Sequence, residues 1–169
     1  MSYDFNADEV FEMAEQIERN GASFYRLMAE NISNVTIHQL LLDLALAEEE
    51  HEKIFVAMRT GLSDKEREPT VFDPEGESAL YLRALADLRV FNKEAEEDFD
   101  LPEELPEEEK IKKVFQEAIK REQESIVFYL GMKDFIPEKL GKDKIDNIIR
   151  EEMKHIRLLS NKIISMGVV

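Results

Sequence analysis

One pattern recurs in this chain at a fixed offset of 104 residues, and it restricts the fold more than any other feature. Glu18 returns as Glu122, Phe24-Tyr25 as Phe128-Tyr129, Glu48 as Glu152, and His51 as His155. Each copy reads Glu, six residues, Tyr, twenty-two residues, Glu, two residues, His. The chain holds only three His and four Tyr, so two of each falling at one offset points to a duplicated structural unit.

The spacing within each copy is helical. Seven residues make nearly two turns, which puts Glu18 and Tyr25, and likewise Glu122 and Tyr129, on one face. Glu48 and His51 are three apart and adjacent on a helix surface. Apolar positions at helical period surround them: Val10, Ala14, Ile17, Phe24, Met28 and Ile32 in one stretch, Ile37, Leu41, Leu44, Phe55 and Met58 in the next. With six Gly and five Pro in 169 residues, turn punctuation is too sparse for a sheet of short strands.

The spacing predicts four long helices. The first runs from about Ala7 to Asn31, with Asn6 and Glu9 as a capping box. The second runs from about Val35 to Thr60, entered through Ser33-Asn34 and closed by Gly61. The third starts near Pro106 and runs to about Phe135, and the fourth runs from about Lys142 to Met166, after a break at 136–141. The short links make each pair an antiparallel hairpin, one over about 7–61 and the other over about 106–166. The connector, 62–105, holds Pro69, Pro74, Gly76 and Pro102, and a shorter helix is expected over 77–92 with Leu80, Ala84, Leu85, Leu88 and Phe91 as its apolar side. A connector of that length crosses the bundle and sets helices two and three parallel. The expectation is an all-α, single-domain four-helix bundle over residues 1–169.

In helix two the apolar seam is interrupted by Glu48 and His51; in helix four Ile145, Ile148 and Leu159 flank Glu152 and His155. An ionised carboxylate in an apolar core costs several kcal/mol or is neutralised. Converging carboxylates also repel one another. Two divalent cations remove the conflict, because four Glu charges balance two 2+ ions and two neutral imidazoles complete the set. The chain has no Cys, so thiolate sites and disulfides are excluded, and oxygen plus imidazole donors suit iron or manganese, with zinc as a further option. Bundles that hold two metals use one Glu from each of two helices and Glu-x-x-His from each of the other two, which is the pattern here.

On these residues the chain resembles rubrerythrin-type members of the ferritin-like di-iron carboxylate superfamily, over about 8–61 and 106–166. The resemblance implies a ferritin-like bundle with Glu18, Glu48, His51, Glu122, Glu152 and His155 as ligands to two Fe ions, Glu48 and Glu152 bridging. It implies reduction of hydrogen peroxide, or oxidation of iron by dioxygen, at that pair. Typical relatives add a Cys-rich rubredoxin domain. Val169 ends this sequence without one, so the electrons are expected from an external rubredoxin-like or flavoprotein donor. Relatives also carry a further Glu one turn after the third-helix ligand, where this chain has Ser125; Glu124 lies about 100° away on the helix. That difference bears on an efficient peroxidase cycle. A ferroxidase and a non-catalytic, metal-stabilised bundle stand as alternatives. Related folds commonly pair, and a homodimer is expected.

Tyr25 and Tyr129 admit two readings, as core aromatics or as hydroxyls that support ligand carboxylates. His38, whose counterpart is Lys142, is expected on the surface; Glu15, Glu49, Glu117, Glu124 and Glu151 are expected as solvated helix charges. The acidic runs 94–100 and 103–109 read as solvated connector, and the seven Met as core filler. A net charge of −16 argues against nucleic-acid binding and disfavours anionic membranes. No apolar run is long enough to span a membrane, and the acidic stretch Met1–Glu9 is not a secretory signal, so a cytoplasmic protein is expected.

Overall fold

The computed structural model describes residues 6–68, 77–85 and 99–167. Five α-helices occupy them: α1 (Ala7–Glu30), α2 (Val35–Thr60), α3 (Glu77–Leu85), α4 (Glu107–Met132) and α5 (Lys142–Ser165). Short 3₁₀ turns at Asp64–Arg67, Lys133–Phe135 and Glu138–Leu140 lie between them. No strand occurs among the described residues. The third helix stops at Met132, one turn before its expected end, because the chain tightens into the 3₁₀ turn.

The helix starts follow from local chemistry. Asn6 accepts a hydrogen bond from Glu9 N at 2.9 Å, the forward half of the expected capping box. Asn34 accepts from Ile37 N at 3.1 Å. The two amides just ahead of α2, Ser33 N and Asn34 N, donate to Glu107 Oε1 at 2.6 and 2.8 Å. Glu107, from a run read as solvated connector, therefore ties the start of α2 to the start of α4. The α1–α2 link is fastened by His38, which is half-buried with Nδ1 2.8 Å from the carbonyl of Ala29. The surface position expected for His38 is thus replaced by a contact across the hairpin.

The helices α1 and α2 pack as one hairpin, and α4 and α5 as the other; α1 meets α4, and α2 meets α5. Directions can be read from the pairings. Tyr25 meets Glu122 while Tyr129 meets Glu18, so α1 and α4 are antiparallel. Arg59 meets Asp8 while Arg19 meets Glu52, so α1 and α2 are antiparallel too. Helices α2 and α4 are therefore parallel, as a crossing connector requires.

Two apolar clusters fill the bundle. One gathers Phe11, Phe55, Phe128, Met132, Ile145 and Ile148. The other gathers Met28, Ile37, Leu41, Phe115, Ala118 and Leu159. Every expected apolar residue of α1 and α2 is buried. Among the methionines Met28, Met58 and Met132 are core, but Met153 is 52% exposed on the outer side of α5.

Helix α3 docks on α4 through a face other than the expected one. Leu82 is fully buried, while Leu80 and Ala84 are exposed and Leu85 is half-buried. The contact depends on Gly131, where a Cβ would lie 2.9 Å from Tyr81 Cε1 and 3.0 Å from Leu82 Cδ2. Docking at a notch selects the residue that fits it, which the 3.6-residue period alone does not identify. Leu88 and Phe91 lie outside the described residues.

Candidate metal centre

Between the two apolar clusters lies a layer of acids and imidazoles. Glu18, Glu48, Glu122 and Glu152 are 0–3% exposed and His51 is 1% exposed. These positions continue the inward stripes of α1, α2, α4 and α5, so the packing that buries the stripes also buries the carboxylates. His155, at the corresponding step of α5, keeps 13% of its side chain exposed.

The donor atoms form two overlapping groups. Glu18, Glu48, His51 and Glu152 each offer one ligand atom within 4.8 Å of the others. Glu48, Glu122, Glu152 and His155 do the same. Glu48 and Glu152 are common to both, as two bridging carboxylates would be. Glu152 sits centrally: Oε1 is 2.9 Å from His51 Nδ1, and Oε2 is 2.9 Å from His155 Nδ1. The imidazole centroids are 6.1 Å apart.

Several of these atoms have no hydrogen bond. Glu18 Oε2, Glu48 Oε1, both Glu152 oxygens and both Nδ1 atoms are buried and unpartnered. The close Glu152–imidazole approaches lack hydrogen-bond geometry. Buried polar atoms are paired in the great majority of cases, so inward-facing orphans at one centre need an explanation. A pair of divalent cations supplies one, with hard oxygen and imidazole donors in the right number. The residues present fit such a group.

Electrostatics of the metal-free chain lead to the same place. Burial pushes the Glu18, Glu48 and Glu152 carboxyls above the usual range, and neighbouring carboxylates add to the push. Burial by itself lowers the imidazoles, but facing carboxylates overcome it. Glu152 and Glu18 bring His51 up to about 11, and Glu122 and Glu152 bring His155 up to about 9. Without cations the cluster therefore retains protons, and bound cations would displace them.

The tyrosines stand behind the carboxylates. Tyr25 and Tyr129 are 2% and 0% exposed. The Tyr25 hydroxyl donates to Glu122 Oε1 and the Tyr129 hydroxyl donates to Glu18 Oε1. Burial, then the adjacent Glu, raises both phenols well above their ordinary value, so each remains a donor. Both tyrosines are at once core aromatics and carboxylate supports.

Two residues near the centre were not read from the sequence as part of it. Gly21 lies one turn past Glu18, and a Cβ there would be 2.8 Å from Glu48 Oε2. Its signal was available: a glycine mid-helix costs about 1 kcal/mol against alanine and asks for a reason. Glu151, taken as a solvated charge, is half-exposed but accepts a hydrogen bond from His51 Nε2 at 2.7 Å. Ser125, at the position related to Gly21, is buried and donates to the carbonyl of Arg121 at 3.0 Å, along its own helix.

Other acids read as solvated divide. Glu49 pairs with Arg26, and Glu117 with Arg121 at 3.0 Å. Glu15 is a correction: it is 5% exposed and held by Arg59 at 3.4 Å and Arg19 at 3.3 Å. Charge from a neighbouring helix makes its burial tolerable, and sequence spacing does not reveal that neighbour.

Comparison with known proteins agrees with this picture. Among solved structures, the chain is similar to a protein from Thermotoga maritima described as a ferritin-like diiron-carboxylate protein. The TM-score is 0.65 at 23% identity, over 93% of each chain. That likeness establishes the ferritin-like fold. No curated protein matches. None of the described helices is long and apolar enough to cross a membrane. The rubrerythrin family profile matches residues 9–163, nearly the whole span of both hairpins and their connector. This chain, with a Glu/His cluster suited to two metals at its centre, belongs to the rubrerythrin family.

Proposed function

We propose that this protein is a di-iron carboxylate oxidoreductase that reduces hydrogen peroxide, with electrons from an external donor. The observation that carries the reading is the set of unpartnered, buried donor atoms in two overlapping groups of four. Glu18 and His51 would hold one ion, Glu122 and His155 the other, and Glu48 and Glu152 would join both. When bound, an Fe(II) pair supplies one electron per ion and Lewis acidity, the two-electron requirement for converting peroxide and two protons to two waters.

The chain's own residues prepare the place. The four helices bring the carboxylates together before any ion arrives, and the tyrosine hydroxyls donate to Glu18 Oε1 and Glu122 Oε1. The flanking apolar clusters limit water around the centre. Because the 169 residues contain no Cys, a thiolate-bound iron relay within them is excluded. A rubredoxin-like protein or a flavoprotein fits the donor's role.

The test is anaerobic stopped-flow mixing of the Fe(II)-loaded protein with peroxide and, separately, with dioxygen. Faster oxidation by peroxide is expected. No reaction with peroxide would remove the peroxidase assignment. Oxidation of more than two irons per chain under aerobic loading would identify iron handling instead.

A further inference from the structure

The 104-residue repeat relates the two halves of the centre, and the structure departs from that relation at one imidazole. His51 Nε2 donates to Glu151 Oε2 at 2.7 Å. An ionised carboxylate accepts and cannot donate, so the hydrogen resides on Nε2 and, in the neutral ring, the Nδ1 lone pair faces inward. Glu151 is held in place by α5, immediately before Glu152. The related position in the first half is Ala47, whose side chain cannot accept a hydrogen bond. The two rings also differ in shielding, with 1% of the His51 side chain exposed against 13% of His155.

We propose that the two metal positions are inequivalent. Glu151 makes the His51 position the tighter and more slowly exchanging one, and the His155 position fills last and exchanges first. The inference rests on the dinuclear reading of the centre. Its physical basis is twofold. A ring held by an outer carboxylate is already oriented for its ion, and the hydrogen bond increases electron density at the ligating nitrogen. His155 gains neither effect from Ala47, and its exposed edge gives solvent and small ligands a shorter route to the second ion. Glu151 is thus a positioning residue that acts through His51.

The experiment is an anaerobic titration of the metal-free, full-length chain with Co(II). Absorption follows the binding steps, and NMR follows the hyperfine-shifted imidazole N–H protons. Two steps separated by about 10- to 100-fold are expected, the range over which outer partners of metal-bound histidines act. One N–H resonance, from His51, should exchange slowly with water. Glu151→Ala should weaken the first step by about the same 10- to 100-fold, leave the second in place, and make that proton exchange fast. Glu151→Gln, whose amide oxygen still accepts, should retain part of the difference, and Ala47→Glu should tighten the second step. Because Glu151 is half-exposed, metal-free Glu151→Ala should lose only the small contribution of one surface pair and still melt cooperatively within a few degrees of the parent, which excludes a folding defect. Indistinguishable steps in the parent, or equal loss in both steps of Glu151→Ala, would overturn the inequivalence alone. Failure to bind Co(II) would overturn the dinuclear reading with it.

Discussion

Tyr25 of the first hairpin donates its hydroxyl hydrogen to Glu122 of the second, and neither residue is more than 2% exposed. Tyr129 returns the bond to Glu18. Each hairpin therefore braces a carboxylate that the other contributes, so the centre is correct only when both hairpins are docked. Tyr25→Phe or Tyr129→Phe should remove one hydrogen bond to a charged group, worth about 1.5–3 kcal/mol in the metal-loaded chain. For a chain of this length each kcal/mol shifts the melting temperature by roughly 2–4 °C. Competition with a chelator should show metal binding weakened by about 10- to 100-fold. Loaded melts that coincide with the parent's would show that the hydroxyls do not support the carboxylates.

The pKa shifts set opposite pH dependences for the metal-free and loaded chain. Burial raises Glu18, Glu48 and Glu152 above 4.5, so the folded metal-free chain keeps protons that the unfolded chain has released. Its stability falls as pH rises above that value. The imidazoles act in the same direction: their contribution is complete below 6.5 and is lost through about 9 for His155 and about 11 for His51. Cations compete with the same protons, so metal affinity rises with pH. Melts at pH 6 and pH 8.5, with and without metal, should show a larger metal-induced gain at the higher pH. Calorimetry in buffers of different ionisation enthalpy should detect proton release on binding. A gain that shrinks as pH rises would contradict the proton-retaining cluster.

Repetition made the centre legible. Because Glu-x-x-His occurs twice at one offset, and because Glu48, His51 and Glu152 stand where an apolar seam expects hydrophobic residues, the sequence itself marks the inward set. The same periodicity located α1, α2 and α5 within a residue or two. What escaped depended on neighbours across space. Leu82 is buried because Gly131 opens a notch for it, and Glu15 because Arg59 arrives from α2, while Glu107 is engaged because the start of α2 needs an acceptor. By spacing alone Glu151 is one more charge on the outer side of a highly charged helix, and its role appears only where α2 brings His51 against it. Local pattern specifies the face a residue shows, and only tertiary packing specifies what meets it.

Arg59 shows how far that packing carries charge. Its guanidinium donates to Asp8 twice, at 3.0 and 2.9 Å, and reaches Glu15 at 3.4 Å. The Arg59 hydrogen bonds hold the Asp8 carboxyl below its ordinary value, while burial raises Glu15 despite the same cation. Arg59→Ala should destabilise the metal-free chain by roughly 2–3 kcal/mol, below the 3–5 typical of a fully buried pair because Arg59 is partly exposed. Adding Glu15→Met should restore part of the loss, since an apolar side chain needs no cation. Denaturant melts of the single and double variants measure this. A double variant less stable than Arg59→Ala would mean that Glu15 is stabilised by something other than this pairing.

Gly21 offers the sharpest separation of folding from metal binding. A methyl group at this position would lie 2.8 Å from Glu48 Oε2 and 3.3 Å from its Cγ and Cδ, so the carboxylate would have to move. Alanine is the better helix former by about 1 kcal/mol, and α1 is otherwise regular through this point. In the metal-free chain the helical gain and the displacement of one flexible side chain oppose each other, so Gly21→Ala should change stability by less than about 1 kcal/mol. In the loaded chain the displaced carboxylate is one of the two common to both groups of ligands, so both binding steps should weaken together. Glycine here would then be kept for the approach of Glu48 and not for backbone freedom. Metal titrations of Gly21→Ala that match the parent would show that Glu48 has another position from which it serves both ions.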